Sequence, residues 1–93
     1  MAEKRIKQMA DILVNYSIKI KKGDKIQLNF GVEAKDLALE CYKLILKRGA
    51  FPVVNCSVPG FGYTFYKNAS KEQLTTFPKL TMYEAKNTDG SIG

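Results

Sequence analysis

The spacing of apolar residues changes between Leu13 and Phe30. At the start of the chain, apolar residues recur three and four positions apart, as Ile6, Met9, Ala10 and Leu13. This spacing predicts an amphipathic helix over residues 2–16. From Ile26 to Phe30 apolar and polar residues alternate, which predicts a strand over residues 24–30. A basic turn over residues 19–25 joins the two elements.

A second helix and a second strand follow. We predict a helix over residues 33–48, ended by Gly49, with one apolar face formed by Leu37, Cys41, Leu44 and Ile45. The largely apolar segment 51–58 is typical of a buried central strand. A strand, a helix and a strand in this order predict a right-handed crossover between parallel strands.

The last third of the chain is predicted to be mainly helical. Ser70 and Gln73 form a capping box that opens a third helix, and Pro78 is expected to interrupt it before helical turns over residues 80–86. Residues 91–93 look like the start of a third strand. The predicted fold class is therefore α/β. It is a partial Rossmann-like layered domain, helix–strand–helix–strand with a parallel βαβ unit, C-terminal helices and a truncated third strand, in one domain over residues 1–93.

Composition and charge limit the function classes. The net charge of +6 is typical both of nucleic-acid-binding proteins and of lysine-rich solvated surfaces. Lysine predominates over arginine, which favours the solvated surface, and the lysines of residues 19–25 are interpreted in the same way. No apolar run approaches the roughly 20 residues that span a bilayer, and the charged N-terminus is unlike a secretory signal. We expect a cytoplasmic protein without a membrane partner.

The side chains available for catalysis are few. The chain has no histidine, which excludes Ser–His and Cys–His pairs and the commonest metal ligand. Cys41 and Cys56 occupy apolar positions and are predicted to be buried free thiols. Glu33, Asp36 and Glu40 share a helix face and are expected to be exposed, so they support no acid–base pair. We predict no catalytic and no metal-binding residue in this chain.

The junction after the first predicted strand argues against a nucleotide site. Residues 29–33 contain a single glycine, Gly31, where a dinucleotide-binding turn needs several. Glu33 would also occupy the position where a phosphate should meet the helix N-terminus.

The glycine–aromatic run over residues 59–66 is the main candidate site. It resembles the RNP motif of RNA-recognition domains, but Pro59 stands where a basic residue should open the motif. Gln27 also stands in the first strand, where the companion motif needs an aromatic residue. We favour a loop whose aromatic side chains cover the core. Because the run follows the carboxyl end of a strand, a ligand-facing loop of Gly60, Phe61, Gly62 and Tyr63 is the functional interpretation.

Two other function classes stay open. The first is a small basic nucleic-acid-binding module that uses residues 60–66, with Phe61, Tyr63 and Phe65 stacking on bases. The second is an assembly module that pairs through an unfinished sheet edge.

Several segments taken in order resemble a known family over nearly the whole chain. They are residues 13–17 with Lys22-Gly23-Asp24-Lys25-Ile26, residues 32–34 with the helix up to Ala50, the strand residues 52–54, residues 65–74, and residues 87–92. This combination is similar to the N-terminal domain of the thermophilic metallo-aminopeptidase family (aminopeptidase T/S type, leucyl aminopeptidase-like).

The resemblance implies a hydrolase that removes N-terminal residues from peptides with two divalent metal ions, which are zinc, cobalt or manganese. It also implies a homo-oligomer and a C-terminal metal domain, in the remainder of a longer chain, that carries the ligands. This chain would then be the first part of the N-terminal domain. Its role would be to form the scaffold and the cavity, and it would be inactive alone.

Overall fold

A computed structural model describes residues 3–16 and 19–93. The helices are α1 (Lys4–Asp11), α2 (Lys35–Lys47), α3 (Phe61–Asn68) and α4 (Lys71–Lys86). The strands are β1 (Lys25–Gly31), β2 (Phe51–Ser57) and β3 (Gly90–Ile92). A π-helical turn, Ile12–Tyr16, extends α1, and a 3₁₀ turn, Val32–Ala34, precedes α2.

The first helix is confirmed over the part of its predicted range that the structure describes; Ala2 lies outside that part. The apolar spacing places Ala10 and Val14 in the core, where both are fully buried. The π-helical turn is joined to α1 by the Asn15 amide, which donates to Asp11 Oδ1 at 2.6 Å. Arg48, just after α2, donates to Asn15 Oδ1 at 3.1 Å and to the Ile20 carbonyl at 3.3 Å. These bonds fix α1 against the end of α2.

The predicted parallel βαβ unit is confirmed. Within residues 3–16 and 19–93, three strands form one sheet in the order β2–β1–β3, and both outer strands run parallel to β1. The third strand is also confirmed, because Ile92 pairs with Leu28. Asp89 fixes its start: its N–H donates to the Lys25 carbonyl at 2.7 Å, and its carboxylate accepts from the Lys25 N–H at 2.8 Å.

The core lies between the sheet and the helices α1 and α2. Its buried residues are Ala10, Val14, Ile20, Ile26, Leu28, Ala38, Cys41, Ile45, Ala50 and Ile92. Side chains alternate along a strand, so Ile26 and Leu28 point to this core whereas Asn29 points to the opposite face. On that face the Asn55 amide donates to Asn29 Oδ1 at 3.0 Å and to Glu84 Oε1 of α4 at 3.2 Å. The last turns of α4 therefore reach the face of the sheet opposite α2.

The prediction of a buried central strand over residues 51–58 is wrong. β1 holds the central position, and β2 lies at the edge of the sheet. Phe51 is 60% exposed and Val54 46% exposed, and Cys56 is exposed as well. The faces of a parallel strand are buried by the helices that cover the sheet, and at this edge α2 leaves Val54 and Cys56 uncovered. For the same reason the prediction of a buried thiol is confirmed for Cys41 and wrong for Cys56.

The predicted helix interruption at Pro78 is also wrong, because α4 continues through this residue. Proline removes one N–H, so the carbonyl of Leu74 loses its helical partner, but the turns on either side persist. The capping box is confirmed: Ser70 Oγ accepts from the Gln73 N–H at 3.1 Å, and Gln73 Oε1 accepts from the Ser70 N–H at 2.9 Å. This cap satisfies two N–H groups at the start of α4 that have no helical partner.

Candidate functional site

The glycine–aromatic run begins a helix after the carboxyl end of β2. Gly60 has a φ of 98°, in the left-handed region that favours glycine, and turns the chain after Pro59. The Thr64 N–H then donates to the Gly60 carbonyl at 2.9 Å, which forms the first turn of α3. The predicted loop is therefore wrong over residues 61–66. Glycine and aromatic residues have low helix propensity, and the contact between Phe65 and Phe77 of α4 supports the helix here.

The structure brings only some of the four candidate residues together. Phe61 and Gly62 face α4, and the ring of Phe61 is 69% exposed. Tyr63 is equally exposed and does not line the space between α3 and α4. The Lys67 ammonium lies 5.5 Å from its ring centroid, a cation–π distance. The expectation that these aromatics cover the core is wrong. On a helix, residues two apart point in different directions, so Phe61 and Tyr63 form no common stacking platform of the kind an RNA-binding sheet provides.

The groove between α3 and α4 has a volume of about 660 Å³. It is lined by Phe61, Gly62, Thr64, Phe65, Tyr66, Leu74, Phe77 and Pro78. The two helices meet where Phe65 packs on Phe77, with ring centroids 5.2 Å apart. Sequence reasoning missed the contribution of α4. The three-residue spacing of Leu74, Phe77 and Leu80 is typical of one apolar helix face. Pro78, which lies between the last two, instead predicted the end of the helix.

The basic turn before β1 is confirmed as an exposed turn. The N–H of Lys21 donates to Asp24 Oδ2 at 2.9 Å, and the N–H of Asp24 donates to the Lys21 carbonyl at 3.0 Å. Lys19, Lys21, Lys22 and Lys25 are all exposed. Asp24 thus acts as the structural residue of the turn, and the lysine side chains are solvated.

The side chains of the described residues do not form a metal centre. The sequence has no histidine, and no group of three His, Cys, Asp or Glu residues is placed to hold an ion within residues 3–16 and 19–93. Burial raises the pKa of the Cys41 thiol, and the charge of Glu40 raises it further. A thiol of raised pKa is neutral at pH 7 and is a poor nucleophile and metal ligand.

Comparisons with known proteins place the chain in a family. In the part of the chain that the structure describes, no helix combines the length and apolar character that a membrane crossing requires. A search of curated proteins finds no match. A family model described as thermophilic metalloprotease (M29) matches residues 2–92, and the chain therefore belongs to this family of metallopeptidases.

Proposed function

We propose that this chain is a non-catalytic scaffold region of a dinuclear-metal aminopeptidase that removes N-terminal residues from peptides. Family membership makes the parent protein a metallopeptidase, and hence a hydrolase. The observation that carries the proposal is the set of metal-binding side chains that the described residues offer. A pair of divalent ions needs clustered carboxylates or histidines, and the described residues offer no such cluster.

In this proposal the described residues do not hold the metal ions. Zinc, cobalt or manganese would be held by a C-terminal metal domain, in the remainder of the same protein. The residues described here would shape the cavity in which the peptide substrate is held.

The exposed apolar surface of α3 and α4 supports a packing role. Phe61, Tyr66, Phe77 and Leu80 together expose roughly 500 Å² of side chain, if about 200 Å² is assigned to each large side chain. That area is in the range of the largest apolar patch of a typical monomer, which is often a contact surface. We propose that this surface contacts the metal domain or a second copy of the chain in a homo-oligomer.

The proposed location is the cytoplasm. Cys56 is exposed and carries a free thiol. Exposed unpaired thiols are typical of proteins kept in reducing compartments, where disulfides are rare. This thiol supports the proposal.

The proposal is tested by assaying the purified chain on aminoacyl p-nitroanilides with zinc, cobalt or manganese. We expect the rate with each metal to equal that of buffer containing the metal alone. Turnover that requires the chain and is abolished by a chelator would refute the scaffold assignment. The same purification applied to cells that lack the gene gives the background of contaminating peptidases.

A further inference from the structure

The outer edge of β2 carries backbone groups that are free to pair. Within residues 3–16 and 19–93, only β1 pairs with β2. The N–H of Phe51 donates to the Asp24 carbonyl at 2.7 Å, so Phe51 directs its backbone groups towards β1. Backbone direction alternates along a strand, and Pro52, Val54 and Cys56 therefore direct theirs outwards. Proline at an outward position is typical of edge strands, because it has no N–H to lose. The outward donors are the N–H groups of Val54 and Cys56.

An apolar groove lies beside this edge, on the face that carries α2. It has a volume of about 360 Å³ and is lined by Leu28, Phe30, Lys35, Ala38, Leu39, Tyr42 and Val54. The helix buries Ala38, Cys41 and Ile45 in the core but also exposes a second apolar stripe, formed by Leu39, Tyr42 and Leu46. Leu39 and Tyr42 of this stripe, together with Val54, give the groove an apolar wall and floor that remain open to solvent.

One charged group lines the groove. Lys35 is the first residue of α2 and follows β1 after a short turn, so it lies towards the carboxyl end of the strands. The register pairs Phe30, near the end of β1, with Cys56 of β2, which places Cys56 towards the same end. The ion pair found among the described residues joins Lys43 to Glu40, so Lys35 has no carboxylate partner there. The charge of the groove therefore complements an anionic group.

We propose that the edge of β2 and the adjacent groove bind an extended peptide as an added strand. The peptide backbone pairs with the outward groups of Val54 and Cys56, an apolar side chain enters the groove, and a carboxylate meets Lys35. An edge strand beside a helix is a known way to recognise extended peptides, in which the backbone gives affinity and the pocket gives specificity. This binding does not require a metal ion and is independent of the scaffold role proposed above.

Other occupants fit these features less well. A helix would cover the groove but would leave the outward N–H groups of β2 without strand partners. A second copy that adds its own β2 antiparallel to this edge would place its Lys35 at the far end of the edge. It would bring Phe51 and Pro52 near this Lys35, whose charge would then lack a carboxylate partner. An extended peptide with a carboxylate satisfies the edge, the groove and the charge together.

The test measures binding of labelled hexapeptides to the full chain by fluorescence anisotropy. The peptides alternate valine and threonine. One has a free C-terminal carboxylate, which lies near Lys35 when the peptide runs parallel to β2. A second begins with aspartate and is amidated at its C-terminus. Its carboxylate lies near Lys35 when the peptide runs antiparallel to β2. A third carries no charge. We expect one of the two charged peptides to bind at least about fivefold more tightly than the uncharged one.

Variants locate the site. Lys35→Gln should weaken binding of the favoured peptide about fivefold, whereas Lys79→Gln, which removes an exposed lysine from α4, should leave it unchanged. Circular dichroism verifies that both variants keep the native helix content. Equal affinities of the two variants would overturn the proposed role of Lys35.

Amide hydrogen exchange provides a readout specific to the edge. In the free chain the amides of Val54 and Cys56 should exchange fast, and those of Val53 and Asn55, which face β1, should exchange slowly. Saturating peptide should slow exchange at Val54 and Cys56 only. Unchanged exchange at these two amides would overturn the proposal. Slow exchange that depends on protein concentration without peptide would also overturn it, because it would assign the edge to a second copy.

Discussion

Two neighbouring residues of α2 provide a sharp test of the packing. Ile45 is 0% exposed, whereas the next residue, Leu46, is 51% exposed. Replacing Ile45 with alanine removes a buried side chain and leaves a cavity, which costs about 3 kcal/mol of unfolding free energy. Replacing Leu46 removes a side chain of the same size that is only half buried. Alanine also has the higher helix propensity, so we expect a loss below about 1 kcal/mol.

The difference is large for a domain of this size. Total stabilities are roughly 5–15 kcal/mol, so Ile45→Ala should remove a substantial part and lower Tm by about 10–20 °C. Urea unfolding followed by circular dichroism measures both variants, and an unchanged m-value confirms that the same surface unfolds. Equal destabilisation by Leu46→Ala would refute the assignment of an open outer face to α2.

Four further experiments test other parts of the structure. A thiol reagent should modify Cys56 quickly in the native chain and Cys41 only after unfolding; rapid modification of both would contradict the buried position of Cys41. Burial and the charge of Glu40 raise the pKa of the Cys41 thiol. The unfolded state therefore loses this proton first, so stability should fall as the pH rises above about 9, and Cys41→Ala should flatten that fall in urea melts. Pro78→Ala should restore a helical N–H and raise the unfolding free energy by up to about 3 kcal/mol, and a lower Tm would show that the proline is required for packing. Asp89→Ala should cost about 1–2 kcal/mol, because the Lys25 N–H loses its acceptor, whereas Asp89→Asn should cost less; equal losses in thermal melts would contradict this.

Local patterns in the sequence predicted most of the elements. The change of apolar period between Leu13 and Ile26 placed α1 and β1 correctly, because each period corresponds to a single buried face. The βαβ unit followed from connection rules alone. The capping box at Ser70 was equally predictable, since its two hydrogen bonds involve residues only three apart.

Features that depend on distant contacts were not predictable. The apolar segment Phe51–Ser57 has the composition of a central strand, but strand order is decided by where the chain returns, and β3 joined β1 on its other side. The burial of Cys56 was mispredicted for this reason. The helix α3 forms from residues of low helix propensity because Phe65 packs on Phe77 of α4. The contribution of Phe77 could not be predicted, because Pro78 follows it and the sequence alone indicates a helix end there.

The candidate site was predicted only in part. The segment Gly60–Tyr63 does follow the carboxyl end of a strand, but helix geometry separates Phe61 from Tyr63. The groove beside β2 could not be predicted while β2 was expected to be buried. Its residues, which include Lys35 and Val54, come from three elements and share no sequence spacing.

Calorimetric titration of the full chain with zinc, cobalt and manganese tests the scaffold assignment most directly. The donor set predicts that none of the three ions binds with a defined stoichiometry, since the described residues contain no cluster of ligands. Saturable binding of two ions per chain at micromolar affinity would contradict the assignment and would identify this chain as the metal-bearing part of the peptidase.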